Sequence, residues 1–270
     1  MMQGKSYVGV SSISSVDEAK QVISLAREAG FELKLRTDYM LMMGFQVSNK
    51  SLENGFSEVN KRIPQLDRLP EILESVWGSV FSTLHYYTPK PENLASDVIR
   101  LLEFGSIGRT RLVRGLQLNR VLPTERDILE IKSKYPELSI ILQISPEFYG
   151  MTTQQLAEKV TKDYPNMDYI LLDSSLGEAK EFDVDMITQD YHIFRENGIN
   201  AEIVFAGGLH GNNVKDKVTR IMKKIGTRQF SIYAEGGLRD RIGEGYGNDI
   251  LNFEKVEKYL RGASEGLIRL

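Results

Sequence analysis

The strongest constraint on the fold is an alternation between short apolar runs and longer segments with helical spacing, which repeats eight times along the chain. Because each helix carries the chain back to the start of the next strand, such units predict parallel strand pairing. Eight units in 270 residues predict a (β/α)8 barrel, and a doubly wound open sheet is the alternative. The runs that we assign to strands are 7–11, 39–47, 79–87, 111–119, 139–145, 168–174, 201–208 and 230–237.

Local signals mark where several of the helices begin. Ser15 with Glu18, and Thr152 with Gln155, have the spacing of helix capping boxes, in which each side chain bonds to the backbone of the other residue. Since these pairs directly follow predicted strands, they support the strand–helix alternation.

Composition narrows the class of protein. The chain is 41% hydrophobic with a net charge of -3, which is ordinary for a globular domain and does not favour nucleic-acid or membrane partners. No linker interrupts the pattern, so we expect one barrel domain over residues 1–270. There are no cysteines, which excludes disulfides, thiolate chemistry and cysteine-based metal sites. No run approaches about 18 apolar residues, and the first residues carry no apolar signal core, so we expect a cytoplasmic protein.

Two glycine doublets end the last two predicted strands, in "FAGGL" (Gly207, Gly208) and "AEGGL" (Gly236, Gly237). In barrels of this kind the loops after strands seven and eight often bind a phosphate through backbone N–H groups, and glycine permits that close approach. The doublets therefore predict a phosphate site, and two tight turns are the alternative. Arg239 and Arg241, near the second doublet, are candidates to assist in binding the anion, but we expect them on a solvated loop.

Five segments resemble the phosphoribosylanthranilate isomerase family, a (β/α)8 barrel family of tryptophan biosynthesis. They are "LLDSSLGEAKEFD" (171–183), "FAGGLHGNNV" (205–214), "GLQLN" (115–119), "VGVSSISSVDEA" (8–19) and "NDILNFEKVEKYLRGA" (248–263). The resemblance implies a cofactor-free Amadori rearrangement of a small phosphorylated aminosugar: the ring opens, a proton leaves C2, and an aminoketose forms. It also implies that Asp173 is the general acid and that the first doublet, Gly207 and Gly208, belongs to a phosphate-binding motif.

Four positions depart from the pattern of that family. Ser11 stands where the family has its cysteine base, and Ser12 follows where the family has glycine. Asn119 replaces a histidine after strand four. The family's arginine after strand two is missing, and Lys50 is its candidate substitute. Because a serine hydroxyl is far less acidic than a thiol, Ser11 needs a strong base beside it to accept a proton.

Other polar residues near the strand ends are candidates for the missing role. His85 near the end of strand three has a suitable intrinsic pKa for a general base. Glu235 ends strand eight and is a second carboxylate that can face the site, while Gln143 and Ser145 on strand five are candidate positioning groups. His192 and His210 lack the spacing of a zinc site. Two alternatives to the isomerase remain: a divergent phosphosugar lyase or epimerase, and a non-catalytic phosphosugar-binding paralogue.

Overall fold

Eight parallel strands close into a barrel in the computed structural model, which describes residues 5–33, 38–54, 60–145, 149–173, 183–245 and 247–268. Each strand pairs with the next along the chain, and β1 pairs with β8, for example Val8 with Ile232. This closure confirms the (β/α)8 prediction and excludes the open sheet. The strands are β1 Ser6–Val10, β2 Tyr39–Ser48, β3 Phe81–Tyr87, β4 Gly115–Leu118, β5 Ser139–Ile144, β6 Tyr169–Asp173, β7 Glu202–Ala206 and β8 Ser231–Ala234.

The described residues also form nine α-helices around the barrel and one added hairpin after β8. The helices are α1 Val16–Glu28, α2 Asn49–Asn54, α3 Leu69–Ser75, α4 Leu94–Glu103, α5 Glu125–Lys134, α6 Thr153–Asp163, α7 Val184–Glu196, α8 Val214–Ile225 and α9 Phe253–Leu267. The hairpin pairs β9 (Arg239–Arg241) with β10 (Asp249–Leu251) in antiparallel fashion. Within the described ranges, no helix combines the length and apolar character needed to cross a membrane.

The capping signals act largely as expected. The side chain of Thr152 accepts from the Gln155 backbone N–H at 3.2 Å, and the Gln155 side chain accepts from the Thr152 N–H at 2.9 Å. At α1, Ser15 caps the backbone N–H of Glu18, but the Glu18 carboxylate accepts from the backbone of Ser14, one residue earlier than a capping box requires. Both arrangements satisfy N–H groups that have no partner inside a helix.

Strand alternation divides the core into two parts. One face of each strand packs under the helices, and the other face fills the barrel. Inside the barrel the rings of Tyr7, Phe81 and Tyr169 contact one another, with centroids 5.4 to 5.8 Å apart. This apolar plug blocks the middle of the barrel, so polar groups inside it lie either below the plug at the amino ends of the strands or above it at the carboxyl ends.

Glu202 is the principal buried acid below the plug. Its Oε1 accepts from Ser6 Oγ at 2.6 Å and from Ser231 Oγ at 3.3 Å, while its Oε2 is buried without a hydrogen-bond partner. Burial raises the pKa of Glu202 to about 7, although the hydrogen bonds from the two serines lower the pKa in part. The folded protein therefore retains a proton that the unfolded chain releases near pH 4.5.

Replacing Glu202 by glutamine tests this buried acid. Between the two pKa values the folded state binds more protons than the unfolded state, so the stability from the protonated carboxyl is complete below about pH 4.5 and falls as pH rises through about 7. We expect Glu202→Gln to match the unchanged protein at pH 5 and to exceed it at pH 8 by up to about 3 kcal/mol in free energy of unfolding. Urea unfolding at both pH values measures this, with the exposed Glu130→Gln as the control. An equally steep loss of stability in Glu202→Gln would contradict the assignment.

Candidate active site

A layer of polar side chains lies above the apolar plug, at the carboxyl ends of the strands. Most members lie two or four residues after an apolar side chain that fills the barrel, so strand alternation points them inward as well. Tyr233 itself packs among those apolar side chains, and Gln117 follows Gly115 on the same face of β4. We call this set the mouth layer, and its members are Ser11, Gln46, His85, Gln117, Gln143, Asp173, Tyr233 and Glu235. In barrels with this architecture, the carboxyl ends of the strands are where catalytic groups lie.

Asp173 belongs to a chain of amide groups across β4, β5 and β6. The amide of Gln143 donates to Asp173 Oδ2 at 2.9 Å, and Gln143 Oε1 faces the Gln117 amide at 3.4 Å. Gln117 also donates to Asn119 Oδ1 at 2.8 Å. The structure thus brings together three residues named from sequence, Asp173, Gln143 and Asn119. Gln117 links them and was missed, although its position two residues before Asn119 carried the signal.

Ser11 and His85 meet on the opposite side of the mouth, although 74 positions separate them in sequence. Ser11 Oγ lies 3.0 Å from His85 Nδ1, and the Tyr233 hydroxyl lies 3.3 Å from the same nitrogen. Burial lowers the pKa of His85 to about 4, opposed by the nearby Glu235 carboxylate, so the imidazole is neutral at pH 7. Both members of the pair are sealed from solvent, with exposures of 0% for Ser11 and 1% for His85.

Gly44 on β2 makes room for this pair. A Cβ at that position would lie 2.5 Å from His85 Nε2 and 2.7 Å from Ser11 Oγ, closer than real Cβ atoms approach. The imidazole therefore packs directly on the β2 backbone. Ser12, where the resembling family has glycine, has φ +64°, which is the conformation that favours glycine.

Two arginines and two carboxylates form a cluster over the Ser11–His85 pair. Arg62, from the connection between β2 and α3, bonds Glu235 at 2.5 Å and also bonds Asp249. Arg239 bonds Asp249 at 2.5 Å and donates to the carbonyl oxygen of Ser12 at 3.0 Å. We call Arg62, Glu235, Asp249 and Arg239 the arginine–carboxylate cluster. Burial alone would raise the pKa of Asp249, but hydrogen bonds from both arginines outweigh burial and lower it.

This cluster corrects one interpretation of the sequence. Arg239 is 5% exposed, so it does not lie on a solvated loop: its side chain folds inward to balance Asp249. In the connection after β2, Lys50 is exposed on α2, whereas Arg62 reaches the mouth layer through Glu235. Arg62 was not named from the sequence, because no local pattern marks it. The backbone N–H of Lys61 donates to the Gly247 carbonyl at 3.0 Å, which fastens this segment to the β9–β10 hairpin.

The two glycine doublets lie side by side. Gly207 and Gly208 have φ values of +100° and +71°, and a Cβ on Gly237 would collide with the carbonyl oxygen of Leu209. A Cβ on Gly236, in contrast, would meet no atom within 4 Å, so that residue borders open space. The loops after β7 and β8 therefore approach each other as closely as their backbones allow.

Part of the segment that carries the resemblance has no described structure. Residues 174–182, which include Gly177, Lys180 and Phe182, lie outside the described residues, so only its beginning at β6 and its last residue, Asp183, are placed. Ser145, named as a positioning candidate, is buried directly after β5. Among the residues that the structure describes, no three histidine, aspartate or glutamate side chains gather as a metal-binding group.

The comparisons with known proteins are informative at the level of structure. No family model matches the chain, and no curated protein is significantly similar to it in sequence. The phosphoribosyl anthranilate isomerase from Thermus thermophilus is similar with a TM-score of 0.58 and 15% identity, covering 95% of this chain and 97% of that one. TrpF from Jonesia denitrificans is similar with a TM-score of 0.59 and 14% identity, covering 98% and 100%.

A third similar structure carries a different enzyme name. The 3-hexulose-6-phosphate synthase from Salmonella typhimurium is similar with a TM-score of 0.56 and 8% identity, covering 96% of this chain and 99% of that one. At these identities the likeness establishes the TIM-barrel fold, and activity has to be argued from the residues of the site.

Substituting Gly44 tests how tightly the Ser11–His85 pair is packed. In Gly44→Ala the new methyl group overlaps the imidazole, so we expect the free energy of unfolding to fall by about 1–3 kcal/mol, as overpacked cores do. Urea denaturation measures the loss. Gly236→Ala is the matched control, because its methyl enters open space. Equal stability of both variants would show that His85 does not rest against β2.

Proposed function

We propose that the protein is an enzyme that isomerises a small phosphorylated aminosugar by an Amadori-type rearrangement without a cofactor. The observation that carries this proposal is the common location of Asp173 and the two glycine doublets. All lie at the carboxyl ends of the strands, and Asp173 on β6 is paired in register with Ala206, the residue before Gly207. One substrate molecule can therefore reach an acid and a phosphate site together.

Asp173 is the proposed general acid. Its side chain is partly exposed at the mouth, and the Gln143 amide orients it by binding Oδ2. Opening a sugar ring requires a proton donor beside the ring oxygen, and a carboxylic acid fixed at the end of a strand supplies one. Gln143 and Asn119 border the same region, where they would bind hydroxyl groups of the substrate.

Gly207, Gly208, Gly236 and Gly237 are the proposed phosphate-binding residues. Adjacent turns without Cβ atoms let a phosphate approach the backbone, whose N–H groups suit an anion. The Asn213 side chain supports the first turn: its amide donates to the Gly208 carbonyl and its oxygen accepts from the His210 N–H, both at 2.9 Å. Lys50, exposed at the start of α2, is a proposed additional anion contact.

Ser11 and His85 are the other two residues that we propose for the active site, across the mouth from Asp173. They occupy the region where the resembling family has its base, and the neutral imidazole contacts the serine hydroxyl directly. The names of the similar structures support a phosphorylated sugar as the substrate class, since one of them, 3-hexulose-6-phosphate synthase, takes its name from a sugar phosphate.

The burial of this pair favours a second candidate function. The arginine–carboxylate cluster covers Ser11 and His85, which are buried. The chain has no cysteine that could act as the base in their place. A protein that binds a phosphosugar at the glycine doublets without turning it over fits these facts. A lyase or epimerase that uses the same acid is the other alternative, and product analysis separates it from the isomerase.

Turnover tests the catalytic proposal. We expect the protein to convert phosphoribosylanthranilate, which is measured by loss of substrate fluorescence, and we expect Asp173→Asn to lower kcat by at least about 100-fold because an amide cannot donate the required proton. Asp216→Asn, on the exposed face of α8, is the control and should retain full activity. No turnover by the unchanged protein, together with tight binding of ribulose 5-phosphate, would favour the non-catalytic alternative.

The phosphate site is tested by a substitution that leaves the unliganded fold undisturbed. The methyl group of Gly236→Ala enters the open space where the phosphate is proposed to bind, so we expect the affinity for inorganic phosphate to fall at least about tenfold with no loss of stability. Titration calorimetry measures the affinity. Gly237→Ala, in contrast, should lower the stability itself. Unchanged phosphate affinity in Gly236→Ala would place the anion elsewhere.

A further inference from the structure

The direction in which Ser11 can move a proton depends on which nitrogen of His85 is protonated. A neutral imidazole carries one proton, on Nδ1 or on Nε2, and the nitrogen without it can only accept. Ser11 Oγ faces Nδ1 at 3.0 Å. If Nδ1 lacks the proton, it accepts a hydrogen bond from the Ser11 hydroxyl and makes the serine oxygen more basic. If Nδ1 carries the proton, His85 donates a hydrogen bond to Ser11 instead.

Tyr233 and Glu235 favour the proton on Nδ1. The Tyr233 hydroxyl donates to Glu235 Oε2 at 2.7 Å, because an ionised carboxylate can only accept. The same tyrosine oxygen lies 3.3 Å from Nδ1, and a hydroxyl oxygen carries lone pairs that accept hydrogen bonds. An Nδ1–H group would donate to that oxygen, while an unprotonated Nδ1 would place two lone pairs against each other.

Hydrogen-bond donors on Glu235 keep its carboxylate ionised, so that it can only accept hydrogen bonds. Its Oε1 receives the Gln46 amide at 2.8 Å and the Arg62 guanidinium at 2.5 Å. A carboxylate with a charged donor on one oxygen stays ionised and accepts the tyrosine proton on the other. The direction of the hydrogen bonds therefore runs from His85 through Tyr233 to Glu235.

The surroundings of Nε2, the second ring nitrogen of His85, also favour the proton on Nδ1. Nε2 is buried with no hydrogen-bond partner, in the space left by the missing Cβ of Gly44. A buried N–H without an acceptor is costlier and rarer than a buried acceptor without a donor. The proton is therefore better placed on Nδ1, where Ser11 and Tyr233 both offer oxygen atoms.

We propose that Glu235 and Tyr233 hold His85 in its neutral Nδ1–H tautomer, so that His85 donates to Ser11 and the Ser11 hydroxyl proton is turned away from the imidazole. Tyr233 is then a positioning residue that acts through His85. This proposal rests on the proposed function only for its consequence, which is that Ser11 does not take the C2 proton of the substrate.

The Nδ1–H tautomer of His85 also changes which group can accept the C2 proton of the substrate. Nδ1 has a single in-plane orbital that can bind a proton, and in this tautomer the bond to its own hydrogen uses it. Nδ1 therefore cannot accept a proton from Ser11 and pass it on to Tyr233. Asp173, the partly exposed carboxyl group at the end of β6, is then the group that can receive it, after it has given its own proton to the ring oxygen. The serine at the position of the family's thiol base thus has a different role from that thiol.

Nitrogen-15 NMR of the full chain tests the tautomer directly and does not depend on turnover. The chain has three histidines, so the ring nitrogens of His85 are identified by their loss in His85→Gln. We expect the unchanged protein at pH 7 to show Nδ1 protonated and Nε2 unprotonated, with the Nδ1–H form in at least about tenfold excess, since one hydrogen bond is worth about that factor.

Two variants and one control extend the measurement. Tyr233→Phe removes the acceptor, and we expect the excess of the Nδ1–H form to fall about tenfold. Glu235→Gln should shift the population in the same direction, because the amide is a weaker acceptor for the tyrosine proton. Tyr86→Phe is the matched control: Tyr86 also donates to a carboxylate, Asp97 at 3.1 Å, but it is the neighbour of His85 on the opposite face of β3, so the tautomer should not change.

An Nε2–H tautomer in the unchanged protein overturns the proposal, as does an unchanged His85 spectrum in a folded Tyr233→Phe. Failure of the proposed function is a separate result. Absence of turnover combined with the Nδ1–H tautomer would reject the isomerase and retain the hydrogen-bond order, whereas turnover combined with the Nε2–H tautomer would retain the isomerase and make Ser11 and His85 its base.

Discussion

The pairing of β1 with β8 is the interaction on which the rest of the structure depends. It closes the sheet, so the carboxyl ends of all eight strands meet at one rim. Tyr233 on β8 thereby comes within hydrogen-bond distance of His85, at the same nitrogen that Ser11 contacts from β1. In an open sheet β1 and β8 would not be neighbours at all. Closure also removes the two exposed sheet edges that would otherwise be free to pair with other chains.

Above this rim, oppositely charged side chains pair with one another at the mouth of the barrel. Two arginines and two carboxylates are buried or partly buried together, so each charge has an opposite charge beside it. Removing one partner from such a group leaves an uncompensated charge in a poorly solvated place, which is strongly unfavourable. The cluster therefore ties the connection after β2 to the β9–β10 hairpin, and it covers the Ser11–His85 pair. The same cluster supplies the charged donor that keeps Glu235 an acceptor.

The absence of cysteine has a wider effect than the loss of one functional group. A thiol ionises close to neutral pH and needs little help to act as a base, whereas a serine hydroxyl takes its character from its neighbours. Here those neighbours are a buried neutral imidazole, a tyrosine and a paired carboxylate. In the proposed order of hydrogen bonds, these neighbours, and not the identity of residue 11 alone, set the chemistry of Ser11.

The sequence by itself determined the eight strand–helix units, their order and the positions of Asp173 and the glycine doublets at strand ends. These features depend on local periodicity and on turn residues, which act over a few positions of the chain. Alternation along β4 would also have revealed Gln117, two residues before Asn119. Only the tertiary structure decided that Ser11 meets His85, that Arg62 reaches Glu235, and that Arg239 is buried against Asp249. Each of these contacts joins segments whose separation in space is set by barrel closure and by the path of a long connection, and no local pattern of residues specifies either.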